Sequence, residues 1–256
     1  MKKLLAFTLC LVPFLAGCQK STPEPVNTTA PTVTTTAPTR EYSPFMTHED
    51  FLKTGLETPV AVETYVQAVQ EWWDDTVTVY AQSEDGGYFL RNMTCSQEEA
   101  SLLVPGARIQ VTGVKAQWAG SDQIEHGTFT LLEGSYIAPA LDVTSLLGSD
   151  ALYAHQNEKV SFTGLIVEPI GEAGEPFLYG WDGSGDPGGD SDLYFRAAIG
   201  DISCLFVVPY YLCGPDSEAY QAVTALEVGD IVNLEGFLYW YDGPQPHINS
   251  VTVCGK

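Results

Sequence analysis

A spaced pair of glycines occurs once in each half of the chain, and this repeat constrains the fold more than any other feature. Gly106 and Gly113 are seven residues apart, as are Gly229 and Gly236. In both copies an aromatic residue stands five positions beyond the second glycine, and a third glycine stands seven beyond it. Alternating apolar residues between the glycines predict a strand entered through a tight turn. We therefore expect two copies of one β-unit.

The elements upstream of each glycine pair are duplicated as well. Three β-prone runs precede the pair in each half, and the second and third runs are expected to form a hairpin. These runs are 60–66, 76–81 and 88–93 in the first half, and 160–166, 177–181 and 192–198 in the second. A short helix is predicted next, with a capping box of Ser96 and Glu99 in the first half and with Asp216 as N-cap in the second.

The order strand, strand, strand, helix, strand, strand is that of the OB fold, a five-stranded Greek-key barrel. We expect an all-β protein with short helices, built from two tandem OB-type barrels at 45–140 and 141–256. The second unit is 23 residues longer than the first between its first strand and its glycine pair. Its apolar run at 202–212 predicts an inserted strand pair. A short helical connector is expected at 142–153, capped by Asp142 or Thr144.

The first 44 residues predict export. Two lysines precede an apolar run at 4–14, which is too short to span a bilayer and is typical of a secretory signal. The sequence Leu15-Ala-Gly-Cys18 resembles a bacterial lipobox, in which the cysteine receives acyl chains such as palmitate; a signal peptide with an incidental cysteine is the alternative. We expect a signal peptide at 1–17, lipidated Cys18, and a disordered Thr- and Pro-rich stalk at 18–44. The lipid would hold the protein on the extracytoplasmic face of the cell membrane.

The charge balance argues against a nucleic-acid partner. The chain carries 11 Lys and Arg against 33 Asp and Glu, a net charge of −22, and removal of residues 1–17 leaves −24. Affinity for nucleic acid rests largely on Lys and Arg that neutralise phosphates. Neutral or cationic partners are therefore favoured, namely carbohydrates, basic peptides, metal ions or another protein. The alternative interpretation is that the negative charge only keeps an exposed protein soluble.

Export would permit disulfides among the cysteines that remain. If Cys10 is removed and Cys18 is lipidated, four cysteines are left, and four allow three pairings. They are Cys95, Cys204, Cys213 and Cys254. A strand from Cys204 would place it about 30 Å from Cys213, whereas a disulfide needs Cα atoms within about 7 Å. Cys254 is therefore the expected partner of one of these two.

The residue patterns do not predict a catalytic centre. The nucleophile elbow, the phosphate-binding loop and the His-Glu-x-x-His zinc motif are all missing from the sequence. Its four histidines, which we expect at surface or capping positions, are scattered at positions 48, 126, 155 and 247. We therefore expect a protein that is not an enzyme.

One loop carries oxygens at alternating positions, as a calcium site would. These residues are Asp182, Ser184, Asp186 and Asp190. An EF-hand loop needs glycine at its sixth position and glutamate at its twelfth, and Pro187 and Leu193 stand there instead. A polar, glycine-rich hairpin loop is the preferred interpretation, and calcium is the one cofactor alternative.

Aromatic residues are the better candidates for a ligand face. OB barrels bind oligonucleotides and oligosaccharides on the face of strands two and three and on two flanking loops, and stacked rings supply much of the binding. The candidates are Trp72, Trp73, Tyr80, Tyr88 and Trp118 in the first unit, and Trp181, Tyr194, Tyr239, Trp240 and Tyr241 in the second. About half of them are expected in the barrel cores, because neighbouring strand residues point to opposite faces.

The chain also resembles a group of predicted lipoproteins from Gram-positive anaerobes that carry two such barrels. The resemblance covers nearly all of residues 50–256. Its most specific stretches are 65–68 with Trp72-Trp73, 103–106 with 111–113, 155–157, 181–185, and 234–241 with 247–248. The group has no established activity, so the resemblance implies a fold and a location. Cys204 and Cys254 depart from its pattern, so it implies no disulfide.

These features lead us to expect a membrane-anchored binding or adaptor module without catalytic activity. Its ligand would be a carbohydrate, a peptide or a protein. One alternative is a single-stranded nucleic-acid-binding protein, which rests on fold analogy alone. Another is a hydrolase that uses paired acidic residues in the cleft between the barrels. The sequence predicts no oligomeric state.

Overall fold

A computed structural model describes residues 45–256. The predicted signal peptide at 1–17, the lipidation site Cys18 and the stalk at 18–44 lie outside the described residues. None of the helices in the described part has the length and apolar character that a bilayer crossing requires.

The first unit is a closed barrel of five strands in the order β1-β2-β3-β5-β4. Its elements are α1 (His48–Lys53), β1 (Pro59–Val69), β2 (Thr76–Ser83), β3 (Gly86–Thr94), α2 (Gln97–Ala100), β4 (Ala107–Trp118) and β5 (Ser121–Ser135). A parallel pairing of β3 with β5 closes the barrel. The predicted capping box is present, since Ser96 and Glu99 each accept a hydrogen bond from the other's backbone N–H.

The second unit repeats this plan. Its elements are β6 (Leu141–Asp142), β7 (Lys159–Glu168), β8 (Leu178–Tyr179), β9 (Leu193–Ile199), β10 (Ile202–Val208), α3 (Tyr210–Cys213), α4 (Glu218–Thr224), β11 (Ile231–Phe237) and β12 (His247–Gly255). Five strands close in the order β7-β11-β12-β10-β9 because β7 also pairs with β9. The parallel pairing of β10 with β12 corresponds to that of β3 with β5. The prediction of two OB-type barrels with few short helices is confirmed.

The repeated glycines have matching structural roles in the two barrels. Gly106 and Gly229 both have left-handed φ angles, +91° and +95°, at the turn before the fourth strand. The second glycine of each pair lets the fifth strand approach closely. A Cβ atom on Gly113 would lie 2.5 Å from Ile124 Cγ2, and one on Gly236 would lie 2.1 Å from the backbone oxygen of His247. The same two steric requirements therefore explain the seven-residue spacing.

The inserted strand pair of the second unit does not lie where the sequence predicted. The run at 202–212 was expected to form an inserted strand pair, but its first part is the third barrel strand, β10, paired with β9. Phe206 and Val208 of this run fill the barrel core, which explains why it is apolar. The run at 177–181 contributes only the two-residue β8, within the long loop between β7 and β9. The extra strands are therefore β6 and β8, of two residues each.

Two smaller predictions need correction. The N-cap of α4 is Ser217 rather than Asp216, since the Ser217 side chain accepts a hydrogen bond from the backbone N–H of Tyr220. The predicted connector helix is a pair of short 3₁₀ helices, at Thr144–Leu146 and Asp150–His155. Asp142 accepts from the backbone N–H of Thr144, so its expected capping role is retained at the first of them.

A third apolar cluster lies between the two barrel cores. It consists of the buried residues Ala68, Tyr80, Phe89 and Phe237, with Leu212 and Tyr239 packed against them. Val79 and Leu90 belong to the first barrel's core, so the neighbouring Tyr80 and Phe89 point outward from β2 and β3. Phe237, at the end of β11, stacks on Tyr80 with ring centroids 4.5 Å apart. The outer face of β2 and β3 is thus covered by the second barrel.

Polar contacts reinforce this junction. Asn157 Nδ2 donates to the backbone oxygen of Asp122 at 2.8 Å, and the backbone N–H of Asp122 donates to Gln156 Oε1 at 2.7 Å. Gly87, at the β2–β3 hairpin, packs so closely that a Cβ atom there would lie 2.3 Å from the Asn157 carbonyl. Both the apolar cluster and these hydrogen bonds would have to break for the barrels to separate.

Candidate functional site

Aromatic residues of the second barrel converge on an open cleft of about 590 Å³. Its lining is Trp181, Tyr194, Leu205, Tyr239, Tyr241, Gln245 and His247. These residues come from the loop between the first and second barrel strands, from β9 and β10, from the segment between β11 and β12, and from the start of β12. That combination is the ligand-binding face of OB barrels. We call this site the aromatic cleft.

Strand alternation explains why two of the lining residues face outward. Leu193 and Phe195 are buried in the barrel core, so Tyr194 between them points to the outer face of β9. On β10, Leu205 likewise lies between two buried core residues. Trp181 follows Gly180, whose left-handed φ of +73° turns the chain, and the Trp181 side chain is 78% exposed. The barrel thus fixes the floor of the cleft, and the loop supplies an open aromatic wall.

His247 and Tyr239 form a stacked pair at the floor. Their ring centroids are 4.2 Å apart with an interplanar angle of 21°. Burial lowers the pKa of His247 to about 3 and raises the pKa of Tyr194 to about 12. Both side chains are therefore uncharged near neutral pH. Because the cleft lining contains no Lys, Arg, Asp or Glu, the site suits a ligand with apolar faces and uncharged polar groups.

Four of the ten predicted aromatic candidates thus meet in one site: Trp181, Tyr194, Tyr239 and Tyr241. Trp240 does not join them. It lines a separate cleft of about 530 Å³, where it packs edge-to-face on Tyr153 with centroids 5.0 Å apart. The neighbouring Trp240 and Tyr241 therefore line different clefts.

The five candidates of the first barrel do not form a site. Tyr88 lies inside the barrel core, against Phe51 and His48, and Tyr80 is covered by the second barrel. Their prediction as ligand-binding residues is therefore wrong. Strand alternation identified two faces, but it did not show that β3 turns Tyr88 inward or that a second barrel covers Tyr80.

The three tryptophans of the first barrel have different environments and do not share a site. Trp72 is half-buried, and its Nε1 donates to the backbone oxygen of Cys95 at 3.0 Å. Trp73 is 71% exposed and lines a small cleft of about 190 Å³. Trp118 is exposed at the end of β4. None of the three lines the aromatic cleft.

Sequence reasoning missed Leu205, Gln245 and His247 as lining residues. His247 was expected at a surface or capping position, as was His48, but His48 is buried beside Gly87, with Nε2 3.0 Å from that residue's backbone oxygen. A positional signal for His247 exists in the repeat. It follows the third glycine of the second unit by four residues and opens the fifth strand, beside the loop that flanks OB ligand sites.

The loop weighed as a calcium site uses its oxygens internally. Asp182 Oδ1 accepts hydrogen bonds from the backbone N–H and the hydroxyl of Ser184, which also lower the pKa of Asp182. Asp186 Oδ1 accepts from the backbone N–H of Gly188 at 3.0 Å. Within residues 45–256, no group of three or more His, Cys, Asp or Glu side chains is arranged to hold a metal ion. The geometry is that of a turn stabilised by its own side chains.

The expected disulfide is not formed. Cys95, Cys204, Cys213 and Cys254 are all free thiols. β10 and β12 run parallel and pair at Val207 with His247. Cys204 precedes this pair and Cys254 follows it, so the two are separated by about ten residues, or roughly 30 Å of strand. Cys213 is buried at the end of α3, with its Sγ directed to the backbone oxygen of Ile248.

Most basic side chains of the described part are already paired with acids. Residues 45–256 contain seven Lys and Arg and 31 Asp and Glu. Six of the seven form ion pairs: Lys53, Arg91, Arg108, Lys115, Lys159 and Lys256. Arg196 is the seventh, exposed on β9. The described surface therefore offers no cluster of unpaired cations to a phosphate backbone.

The buried acids are not arranged as a catalytic pair. Asp122 and Asp230 are the two buried carboxylates of the described residues. Asp122 lies 3.8 Å from the buried Lys115 ammonium group. Asp230 accepts from the backbone N–H of Glu227 at 2.8 Å. Each carboxylate thus has its own local partner.

Comparisons with known proteins find only weak similarities. No protein-family model and no curated protein sequence matches the chain. Among solved structures, the Ifi202 HINa domain in complex with 20-bp dsDNA is 12% identical, over 78% of this chain and 97% of that chain, with a TM-score of 0.32. A murine DNA-binding protein bound with dsDNA is 10% identical, over 77% of this chain and 97% of that chain, with a TM-score of 0.35.

A third structure is matched over only part of its length. It is asparaginyl-tRNA synthetase from Pyrococcus horikoshii complexed with asparaginyl-adenylate, at 14% identity and a TM-score of 0.26. The match covers 38% of this chain and 19% of that chain. At this level of similarity, function has to be argued from the aromatic cleft itself.

Proposed function

We propose that this protein is a non-catalytic binding module that holds a carbohydrate in the aromatic cleft. The observation that carries the proposal is the convergence of four aromatic rings on the ligand-binding face of an OB barrel, without a charged side chain among them. A volume of about 590 Å³ is in the usual range for small-molecule sites.

Carbohydrate chemistry suits this lining. The apolar face of a sugar ring can pack on Trp181 and Tyr241, the two most exposed rings of the cleft. Sugar hydroxyl groups can exchange hydrogen bonds with the Gln245 amide and with the tyrosine hydroxyls. The charge of the described part does not oppose a neutral ligand, whereas it opposes an anionic one.

A glycan array followed by calorimetry on the full chain tests this proposal. Trp181→Ala should weaken glycan binding by about 10- to 100-fold, because one stacked ring contributes roughly 1–3 kcal/mol. Trp73→Ala is the matched control, since it removes an equally exposed tryptophan from the corresponding loop of the first barrel. Equal losses in the two variants, or no glycan bound by the wild-type chain, would contradict the proposal.

Single-stranded nucleic acid is the second candidate ligand. Bases also stack on aromatic rings of an OB face, and two of the similar structures contain dsDNA. Against it stands the pairing of six of the seven basic residues with acids. We expect no binding of a fluorescent oligo-dT at 150 mM salt. Binding that Trp181→Ala abolishes and that weakens as salt increases would favour this candidate over the carbohydrate.

We further propose that lipid on Cys18 anchors the protein to the extracytoplasmic face of the membrane. The support comes from the apolar run at 4–14, the lipobox-like Leu15-Ala-Gly-Cys18 and the Thr- and Pro-rich segment that follows. Metabolic labelling with an alkyne palmitate analogue should tag the wild-type chain and not Cys18→Ser. Equal labelling of both would argue against this anchor.

A further inference from the structure

A hydrogen bond between the two barrels ends in the aromatic cleft. The Tyr80 hydroxyl, from β2 of the first barrel, lies 2.6 Å from Nδ1 of His247 at the start of β12. Tyr80 is 2% exposed, whereas His247 is one of the residues that line the cleft. The first barrel thus forms a hydrogen bond with one imidazole nitrogen of the ligand face of the second.

The donors and acceptors around the Tyr80 hydroxyl determine the direction of its hydrogen bond with His247. Gln70 Nε2 donates to the Tyr80 hydroxyl oxygen at 3.0 Å. That oxygen has one proton to give, and His247 Nδ1 is its one acceptor among the described residues. If Nδ1 carried the imidazole proton, the buried tyrosine proton would lack an acceptor, which is unfavourable for a buried polar group. Tyr80 therefore donates to Nδ1, and the neutral imidazole carries its proton on Nε2.

The ring geometry presents Nε2 on the side away from Tyr80. Nδ1 and Nε2 both flank Cε1 and form hydrogen bonds in widely divergent directions, and the stack on Tyr239 at 4.2 Å holds the ring plane. Nε2 has no hydrogen-bond partner within residues 45–256 and is not one of the buried unpaired polar atoms. It is therefore accessible from the cleft that His247 lines.

We propose that the His247 Nε2–H group is a fixed donor that recognises an acceptor oxygen of a neutral sugar, and that Tyr80 and Gln70 are positioning residues that set its tautomer. This inference rests on the proposed carbohydrate function and narrows its ligand class. No Lys or Arg is among the lining residues, although Arg196 is exposed on β9 opposite Leu205. The uncharged imidazole offers a carboxylate only a neutral hydrogen bond, and the net negative charge of the described part opposes an anionic ligand. Neutral oligosaccharides should therefore bind in preference to uronic acids.

Nitrogen NMR of the ligand-free full chain, labelled with ¹⁵N-histidine, tests the tautomer. We expect His247 to show a protonated Nε2 and an unprotonated Nδ1. Tyr80→Phe removes the donor and should produce a mixture of tautomers, whereas Tyr88→Phe, another buried tyrosine of the first barrel, should leave the signals unchanged. A protonated Nδ1 in the wild-type chain would overturn the proposal whether or not a sugar binds.

Calorimetry with maltotriose, cellotriose, chitotriose and trigalacturonic acid tests the ligand class. We expect at least one neutral trisaccharide to bind more tightly than trigalacturonic acid. Tyr80→Phe should weaken that binding roughly three- to tenfold, as expected for one misaligned hydrogen bond, and Tyr88→Phe should not.

The outcomes separate this inference from the proposed function. Preferential binding of trigalacturonic acid, or equal affinities in both tyrosine variants, would overturn the inference while the carbohydrate function stood. If none of the four sugars binds although the expected tautomer is present, the ligand assignment fails and with it the proposed function. The tautomer and its positioning by Tyr80 would then still be established.

Discussion

The two barrels present the same outer face, and the molecule uses it in two ways. In the first barrel, Tyr80 and Phe89 are paired across β2 and β3 and are buried under the second barrel. In the second barrel, Tyr194 and Leu205 hold comparable outward positions on β9 and β10, and they line an open cleft. A face that binds ligands in an isolated OB barrel is therefore an internal contact surface in one copy and a candidate ligand site in the other.

Tyr239 shows how closely the two uses are connected. On one side, the Tyr239 ring packs on Phe89 of the covered face, with ring centroids 5.1 Å apart. On the other side, Tyr239 lines the aromatic cleft and stacks on His247. The covered face thus supports the floor of the open one, so stability measurements and binding measurements should respond to different residues of a single region.

The largest effect is expected at the covered face. Phe237→Ala removes a ring that is 1% exposed and stacked on Tyr80. We expect the free energy of unfolding to fall by about 3–5 kcal/mol, because the cavity cannot collapse between two closed barrels. Urea denaturation followed by circular dichroism measures this change. Trp181→Ala on the open face, as control, should change stability by less than about 0.5 kcal/mol; similar losses in the two variants would show that the faces do not differ.

A smaller effect is expected where the backbones of the two units meet. Gly87→Ala would place a Cβ atom 2.3 Å from the Asn157 carbonyl group. We expect a loss of about 1–3 kcal/mol from overpacking, and a thermal unfolding curve that broadens as the barrels uncouple. Gly55→Ala is the matched control, since its Cβ would meet only Thr58 Oγ1 at 3.8 Å. A wild-type melting curve for Gly87→Ala would mean that the barrels are not held this closely.

The duplicated fold could be predicted because it rests on local steric requirements. Gly106 and Gly229 turn the chain with nearly equal φ angles, and Gly113 and Gly236 admit the fifth strand. Such requirements act on single positions, so they leave a readable spacing. The β9–β10 hairpin was harder to predict. The β-prone run at 177–181 follows β7 more closely in the sequence than β9 does, so the sequence favours that run as the second barrel strand. In the structure β9 is the strand that pairs with both β7 and β10.

The site could be predicted only in part, because its residues are defined by what covers them. Alternation along β2 identifies Tyr80 as facing outward, but the partner that buries it comes from β11, more than 150 residues later. In the second barrel no element of residues 45–256 closes the cleft on the equivalent face, and four of the candidates predicted there line it. Trp240 and Tyr241 show the remaining difficulty, since adjacent aromatic residues in an irregular loop can face either of two clefts.

Acid should weaken the junction through His247. The folded chain keeps this imidazole neutral, with its pKa lowered to about 3, whereas the unfolded chain binds a proton below its ordinary value of 6.5. Protons therefore favour the unfolded state, and stability present above pH 6.5 is lost as the pH falls toward 3. The loss is at most about 1.4 kcal/mol per pH unit, because the imidazole binds a single proton. Access of solvent to the ring edge that faces the cleft would reduce it.

The variant His247→Gln isolates this contribution, since glutamine does not titrate and its amide can still meet the Tyr80 hydroxyl. Between pH 7.5 and pH 5, the wild-type chain should lose up to about 2 kcal/mol more unfolding free energy than the variant. Chemical denaturation at both pH values measures the difference. Parallel losses in the two proteins would mean that His247 is not held neutral by burial and that other groups cause the acid sensitivity.

The smallest effect is expected at Trp240, and it would show where the open face ends. Trp240 lines the neighbouring cleft with Tyr153 and Pro244 and does not line the aromatic cleft. Trp240→Leu should therefore change the affinity for a bound glycan by less than about twofold, or about 0.4 kcal/mol, as measured by calorimetry on protein whose melting curve is intact. A loss as large as that of Trp181→Ala would mean that the ligand extends across both clefts. The binding face of the second barrel would then include the 239–245 loop on both of its sides, and the sugar would be longer than the aromatic cleft alone can hold.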